Sequence, residues 1–515
     1  MYLSNGGNDM NEYDISYEIL DYNKLKARLE GIVNNTENKY SVIKHEPIGQ
    51  TACGFDIEHY SIGNGPKHIV YMGGMHSNEI IGVDYVTQLM KNIALGKGDF
   101  ENFDPNLFTI DFIPCQNPEG YYTTTYALNS VMGNMSPEEI EAFSKKYYLS
   151  YRQDDRNVLG INNIIKSVCA LCNTTGRQNE LIEAFWNTYR HTRYTQDMVL
   201  DFLTSNLHVE ESTIKDTIVE VWNKWMNKTE ISAVKEHYQI FDGITLDCIP
   251  ETDEKHIALK QSLYELYKDG RFPLATLANF FANSSGVNLN DNNEYYFNEV
   301  KQQMEQKGEV YATLRENNML KSVPGPIGVP SVNMESFEYA PENVALFNFL
   351  KKREAEHLDD YAFFNVHGTG GVIYIYPVYD AEKEDKNAPR DFSFYINNRL
   401  STEYTKATGE VYESVTGKND PYKTMGHPSR ITGVGDLLRK QYIASFVLEL
   451  SKMGGNPLSP YGDRAGNYNL TMTANFKACS KTMQTILEVS HLYDSSYKMT
   501  FDEAGRVTYE EGPRR

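Results

Sequence analysis

The alternation of apolar and polar positions predicts an α/β domain in the first part of the chain. Apolar residues recur at helical spacing in 22–34 and again in 80–95. Residues 55–62 alternate as a strand does, 68–72 form a short apolar run that ends at two glycines, and 107–114 form another strand-like run. The succession of strand, glycine-rich turn, helix and strand is typical of α/β proteins.

The strand pattern stops in residues 161–285, which have almost entirely helical spacing. Helices are predicted at 178–190, 195–206, 211–227, 254–268 and 274–283. The three tryptophans of the chain are Trp186, Trp222 and Trp225. Because they all lie in this interval, we expect a helical insertion that packs on its own small core.

Strand and helix signals alternate again in the last part of the chain. Strands are predicted at 361–366, 372–377 and 442–448, and helices at 341–354, 391–407 and 473–488. The predicted organisation is an N-terminal helical segment (1–40), the first part of the α/β domain (41–160), the insertion (161–285), the second part (286–490) and a C-terminal tail (491–515).

Composition excludes several classes of protein. The chain has 515 residues, 40% hydrophobic and 23% charged, which is enough apolar material for a sizeable core. Its 70 acidic residues outnumber 49 basic ones, giving a net charge of −21, which disfavours binding to nucleic acid or an anionic membrane. No apolar run reaches the ~18 residues of a membrane-spanning helix, so no membrane partner is expected.

Cysteine usage and the first residues suggest a compartment. The six cysteines are few and scattered, which favours a reduced, cytoplasmic protein over a disulfide scaffold. The first twenty residues have neither a basic n-region nor an apolar h-region, so no signal peptide is expected in this chain.

The first candidate for chemistry is the segment Gly73-Gly74-Met75-His76-Ser77-Asn78-Glu79. An imidazole and a carboxylate three residues apart can converge on one metal ion when a tight turn leads from a strand into a helix, and glycines permit such a turn. The alternative is that His76 and Glu79 simply begin a helix, whose N-terminal end favours a carboxylate.

Two later strands end with further candidates. His367 ends an apolar strand and is followed by glycines, and Glu449 lies in an otherwise apolar strand. Three mixed nitrogen and oxygen ligands with an open position would form a catalytic zinc site, and partial burial would suit Glu449 to act as a general base. The alternatives are a strand-end histidine without a ligand role and a glutamate that points to solvent.

The order of these motifs resembles that of the zinc carboxypeptidase family. The matching segments, in order, are His76 with Glu79, Asn117-Pro118-Glu119-Gly120-Tyr121, Gly286-Val287-Asn288-Leu289-Asn290, His367, Gly433-Val434-Gly435-Asp436 and Glu449. The resemblance covers about residues 40–155 and 286–490. It implies a three-layer α/β/α fold with a mixed, largely parallel sheet.

The resemblance also implies roles for single residues. His76, Glu79 and His367 match the family's ligands of one Zn²⁺ ion, a set given for carboxypeptidase A as a standard example. Glu449 matches the general base and later proton donor. Asn290 matches the asparagine that helps to hold the terminal carboxylate of the substrate.

The sequence departs from the family where substrates are bound. Asp291 and Asn78 stand where the family has arginines that grip a carboxylate by charge-assisted hydrogen bonds. An aspartate there would repel a carboxylate, so either the substrate lacks one near the scissile bond or another cation supplies the grip. For the arginine that stabilises the oxyanion, Arg152 and Arg156 are both candidates, or both belong to a solvated charge run.

The sequence thus favours a zinc-dependent metallopeptidase acting on peptides. Two alternatives stay open. One is an amidohydrolase of N-acyl amino acids that resembles the succinylglutamate desuccinylase and aspartoacylase branch, which also has a Gly-Gly-x-His-x-x-Glu start. The other is an inactive binding module on the same fold. The sequence leaves the oligomeric state open.

Overall fold

The computed structural model describes rather more than half of the chain. The described residues are 12–16, 18–136, 139–140, 142–143, 156–189, 195–226, 241, 243–268, 274–290, 292, 338–355, 360–368, 372–376, 401–402, 405–406, 413–415, 444–450, 465–494, 497–501 and 507–511.

The chain divides into two units. The first combines Met1–Met135 with Gly243–Arg515, and the second is Ser136–Asp242. The second unit overlaps the predicted insertion of 161–285, and the predicted domain boundaries stay predictions.

The helices of the first unit are α1 (Tyr22–Val33), α2 (Ile80–Leu95), α3 (Pro118–Met132), α8 (Glu254–Lys268), α9 (Pro341–Ala355) and α10 (Ala465–Asp494). Those of the second unit are α4 (Arg156–Leu171), α5 (Gln178–Tyr189), α6 (Gln196–Leu207) and α7 (Glu211–Met226).

The second unit has a hydrophobic core of its own. Apolar residues at helical spacing on α4 to α7 are buried together, among them Ile161, Val168, Phe185, Leu203 and Ile218. Trp222 packs against this cluster.

The first unit contains an eight-stranded mixed sheet and two separate strand pairs. Its strands are β1 (Val42–Lys44), β2 (Gly49–Gln50), β3 (Asp56–Ile57), β4 (Tyr60–Ile62), β5 (Lys67–Gly73), β6 (Phe108–Ile113), β7 (Asp360–His367), β8 (Val372–Tyr376), β9 (Glu413–Val415), β10 (Ala444–Glu449), β11 (Tyr497–Phe501) and β12 (Val507–Glu511). The large sheet has the order β1-β4-β6-β5-β7-β10-β8-β9, and its four central strands, β6, β5, β7 and β10, are parallel.

One face of the central strands is covered by α9. Val70 and Met72 of β5 and Phe363 of β7 form one hydrophobic cluster with Leu346 and Leu350 of α9. Successive side chains of a strand point to opposite faces, so the alternate residues of β5 and β7 face the other side of the sheet.

The opposite face is covered by α2 and α10. Tyr71 of β5 stacks on Phe364 of β7 at 4.7 Å, and Phe364 stacks on Phe446 of β10 at 5.0 Å. Tyr71 also contacts Tyr85 of α2, which stacks on Phe476 of α10. Because helices cover both faces of the sheet, the predicted three-layer α/β/α fold with a mixed, largely parallel sheet is confirmed.

Several predicted elements differ from those observed. Residues 55–62 were expected to form one strand and instead form two short ones, β3 and β4. The helix expected over 274–283 is a 3₁₀ helix over Leu274–Asn279, and the following residues have no regular structure. The expected tail contains a hairpin of β11 and β12. Within the described residues, no helix has the length and apolar character needed to cross a membrane.

Candidate active site

The carboxyl ends of three neighbouring parallel strands bring the candidate residues together. Gly73 ends β5, His367 ends β7 and Glu449 ends β10. In the β7–β10 register His367 is the direct partner of Glu449, and Gly73 is the partner of the residue before His367. Open α/β sheets place their sites at this edge because the strand ends leave a crevice there.

Three predicted ligand atoms meet beyond these strand ends. His76 Nδ1 lies 3.1 Å from His367 Nδ1 and 3.1 Å from Glu79 Oε1, and His367 Nδ1 lies 2.8 Å from Glu79 Oε2. All three side chains are buried. Zinc bonds of about 2.0–2.2 Å allow two ligand atoms to be at most roughly 4 Å apart, so one ion can reach all three.

The donor set fits a divalent cation. Two imidazole nitrogens and a carboxylate are directed at one another, and two facing imidazole lone pairs are satisfied together only by a proton or a metal ion. The set matches the pattern of two histidines and a glutamate that leaves a further coordination position open.

Electrostatics in the cluster favour an ionised glutamate. Burial would raise the pKa of Glu79, but the adjacent His76 and His367 hold it well below its usual range. Burial lowers the pKa of His76 despite the opposing effect of Glu79. Burial also acts to lower the pKa of His367, but the Glu79 carboxylate outweighs it and the pKa is raised. A bound metal ion would take the place of these protons.

The turn that carries His76 depends on glycine. Gly74 has φ +69°, and a Cβ there would come within 2.7 Å of the Val83 side chain and 3.0 Å of Cys115 Sγ. The carbonyl oxygens of Gly73 and Gly74 accept hydrogen bonds from the N–H groups of Gln116 and Asn117. The start of the Asn117–Tyr121 motif therefore holds the turn.

The loop after β7 fixes Glu79 from the opposite side. The N–H group of Gly368 donates a hydrogen bond to Glu79 Oε2 at 3.1 Å. A Cβ at Gly368 would lie 3.0 Å from both Glu79 Cβ and Ile81 Cγ2, so a larger residue would crowd the Glu79 side chain.

Glu449 lies beside the cluster and outside it. Its side chain is partly buried, and its charge is one of the influences that raise the pKa of His367. It does not belong to the group of ligand atoms that lie within 4.8 Å of one another. Partial burial next to a candidate ligand histidine is the setting expected of a general base.

The structure describes only some of the predicted substrate-binding residues. Asn290 is described and partly buried, and its N–H group donates to Asn288 Oδ1 at 3.0 Å. Asp291 and Arg152 lie outside the described residues. Arg156 begins α4, but its side chain lies outside the described part of the chain.

Asn78 has a partner of its own. It stands inside the His76–Glu79 segment, is fully buried, and donates from Nδ2 to Asn279 Oδ1 at 3.0 Å. This amide pair joins the turn that carries His76 (residues 73–79, called the ligand turn below) to the end of the 3₁₀ helix. Asn78 therefore has a structural contact at the position where the resemblance implies an arginine.

Two contributors to the site escaped the sequence analysis. Phe281 stacks on the His76 ring, and the pattern of 274–283 indicated only a helix. Glu119 is buried and accepts hydrogen bonds from the N–H groups of Cys53 and Ser284, so it anchors the loop before Asn288. Its place in the Asn117–Tyr121 motif was the available signal, but the motif alone does not reveal which loop the carboxylate contacts.

A second group of possible ligands lies elsewhere in the first unit. His45, His59 and Asp111 offer atoms within 4.8 Å of one another. The two imidazole rings are stacked at 4.4 Å and inclined by 20°, so their in-plane lone pairs do not converge. The Arg353 guanidinium already neutralises Asp111 at 3.1 Å. This group is therefore satisfied without a metal ion.

Arg353→Met is expected to lower the free energy of unfolding by about 3–5 kcal/mol, because it leaves the buried Asp111 carboxylate without its cation. Burial would raise the pKa of Asp111, but the hydrogen bond from His59 and the Arg353 charge help to hold it below its usual range, so the carboxylate is ionised near neutral pH. Urea denaturation measures the loss. Lys44→Met, which breaks the exposed pair with Glu58, is the control and should cost at most about 1 kcal/mol. Equal losses in the two variants would contradict this account.

Comparison with known proteins finds a family model that matches part of the chain. A search of curated proteins found no match. Solved structures with distant similarity include bovine thrombin-activatable fibrinolysis inhibitor in complex with tick carboxypeptidase inhibitor (11% identity, 92% of this chain and 98% of that chain, TM-score 0.43). Another is a metallo-carboxypeptidase from Burkholderia cenocepacia (10% identity, 91% of this chain and 70% of that chain, TM-score 0.38). Similarities this low carry no argument about activity. The family model described as zinc carboxypeptidase matches residues 29–154, and the resemblance of this chain to the zinc carboxypeptidase family is thereby confirmed.

Proposed function

We propose that this protein is a zinc-dependent metallopeptidase of the carboxypeptidase type. The observation that carries the proposal is the convergence of His76 Nδ1, Glu79 and His367 Nδ1 within 2.8–3.1 Å of one another. These residues hold one Zn²⁺ ion. When bound in such a site, zinc polarises a carbonyl group and makes water more acidic.

The chain's own residues then carry out the proton transfers. Glu449 accepts the proton of the attacking water and later donates it to the leaving amine. Its place at the end of β10, opposite His367 in the register, supports this role. Either Arg152 or Arg156 stabilises the oxyanion, and Asn290 contributes to substrate binding.

Two residues that replace arginines of the family pattern suggest a substrate without a free carboxylate next to the scissile bond. Asn78 is neutral and its amide group is bonded to Asn279, and Asp291 is acidic where the resemblance implies a cation. A substrate carboxylate would lose its bidentate partner at the first position and be repelled at the second. A peptide with a blocked C-terminus fits this site better than one with a free C-terminus.

Zinc removal and a pair of matched peptides test the proposal. We expect purified protein to contain one zinc ion per chain by elemental analysis, and dialysis against a chelator to abolish hydrolysis until zinc is restored. The amidated form of a peptide should be cleaved faster than its free-acid form. Faster cleavage of the free acid would contradict the substrate assignment alone. Hydrolysis of N-acyl amino acids but of neither peptide would identify an amidohydrolase, and zinc binding without any hydrolysis would identify a binding module.

A further inference from the structure

An aromatic ring outside the ligand set contacts His76 directly. The Phe281 ring stacks on the His76 imidazole with centroids 4.0 Å apart and planes inclined by 28°. His367 contacts the same imidazole edge-on, at 4.6 Å and 72°. The plane of the His76 ring is therefore defined by contacts with a phenyl ring and with a second ligand.

The backbone on both sides of Phe281 is tied to the ligand turn. The Ser77 hydroxyl, next to His76 in sequence, donates to the carbonyl oxygens of Phe280 and Ala282, the latter at 3.1 Å. Thr124 of α3 donates to the Phe280 carbonyl at 3.1 Å. The peptide group before Phe281 and the one after Ala282 are therefore both hydrogen-bonded, which restricts the path of the backbone through Phe281.

Two further contacts connect the segment around Phe281 with the turn that carries His76. The Asn78–Asn279 amide pair joins the same two segments on the N-terminal side of Phe281. At Gly120 of α3, a Cβ would come within 2.2 Å of the Ala282 carbonyl oxygen and 2.6 Å of Ser77 Cβ. The segment 279–282 thus packs closely on both the ligand turn and α3.

We propose that Phe281 is a positioning residue for His76, holding the imidazole plane so that Nδ1 faces Glu79 and His367. This inference rests on the proposed function, in which His76 is a zinc ligand. A ligand histidine can rotate about its Cβ–Cγ bond unless neighbours fix it, and partners outside the ligand set typically contribute about 10- to 100-fold to metal affinity. The stacked Phe281 ring is such a neighbour.

The test compares Phe281→Leu with Phe281→Tyr. We expect leucine, which keeps apolar volume but removes the stack, to weaken zinc binding about tenfold in chelator competition and to change the visible absorption spectrum of the cobalt(II)-substituted protein. Tyrosine keeps the ring and should restore both to wild-type values. The thermal midpoints of the metal-free and the zinc-bound protein are measured alongside, because a general loss of stability would lower both of them.

The matched control is Phe349→Leu. Phe349 is also partly buried and contacts a histidine edge-on, His59 at 5.0 Å, outside the ligand cluster. This control should leave zinc affinity and the cobalt spectrum unchanged. Wild-type zinc affinity and spectrum in Phe281→Leu would overturn the positioning role and leave the proposed function intact. A wild-type protein that binds no zinc would overturn both.

Discussion

Glu449→Gln is expected to lower kcat for peptide hydrolysis by about 100- to 10,000-fold while the protein still binds one zinc ion. Glutamine has nearly the shape of glutamate but cannot accept the proton of the attacking water. Glu449 lies outside the group of converging ligand atoms, so its replacement leaves that group complete. Steady-state kinetics and elemental analysis of the same sample measure the two effects separately.

A glutamate-to-glutamine substitution at an exposed position is the control for effects of purification and of the lost negative charge. Glu488→Gln changes a solvent-exposed glutamate of α10 and should leave both kcat and zinc content at wild-type values. Turnover by Glu449→Gln at the wild-type rate would remove Glu449 from the mechanism. Loss of zinc together with activity would instead show that Glu449 acts on the metal site.

His367→Ala is expected to weaken zinc binding by more than the roughly 100-fold that loss of an indirect partner can cost, and to abolish hydrolysis. His367 Nδ1 is 2.8 Å from Glu79 and 3.1 Å from His76 Nδ1, so its removal leaves two of three ligands. Chelator competition gives the affinity, and the zinc content after gel filtration gives the stoichiometry.

His45→Ala is the matched control for that experiment. His45 belongs to the second group of histidines and aspartate, whose stacked rings do not converge on one point. We expect this variant to retain one zinc ion and wild-type affinity. Two zinc ions in the wild-type protein, reduced to one in His45→Ala, would contradict our account of the second group.

Local pattern was sufficient for much of the fold. The helix over 80–95 is found at Ile80–Leu95, and the strand expected over 107–114 is found at Phe108–Ile113. Apolar periodicity and glycines specify such elements because they act over a few residues. The prediction for 274–283 was wrong after Asn279, where hydrogen bonds from Ser77 and Thr124 hold the backbone in an irregular path. Contacts between distant segments override helical propensity in this way.

The sequence by itself determined most strands of the large sheet's centre, many of the helices, the glycine turn before His76, and the identity of three candidate ligands from the order of the motifs. Only the tertiary structure decided that His76 and His367, 291 residues apart, meet at one point, since this depends on β5 and β7 pairing in parallel with their ends in register. It also decided that Asn78 pairs with Asn279 and that Phe281 stacks on His76. Those contacts follow from the packing of buried faces, a property of the whole sheet and its helices that no local window of sequence contains.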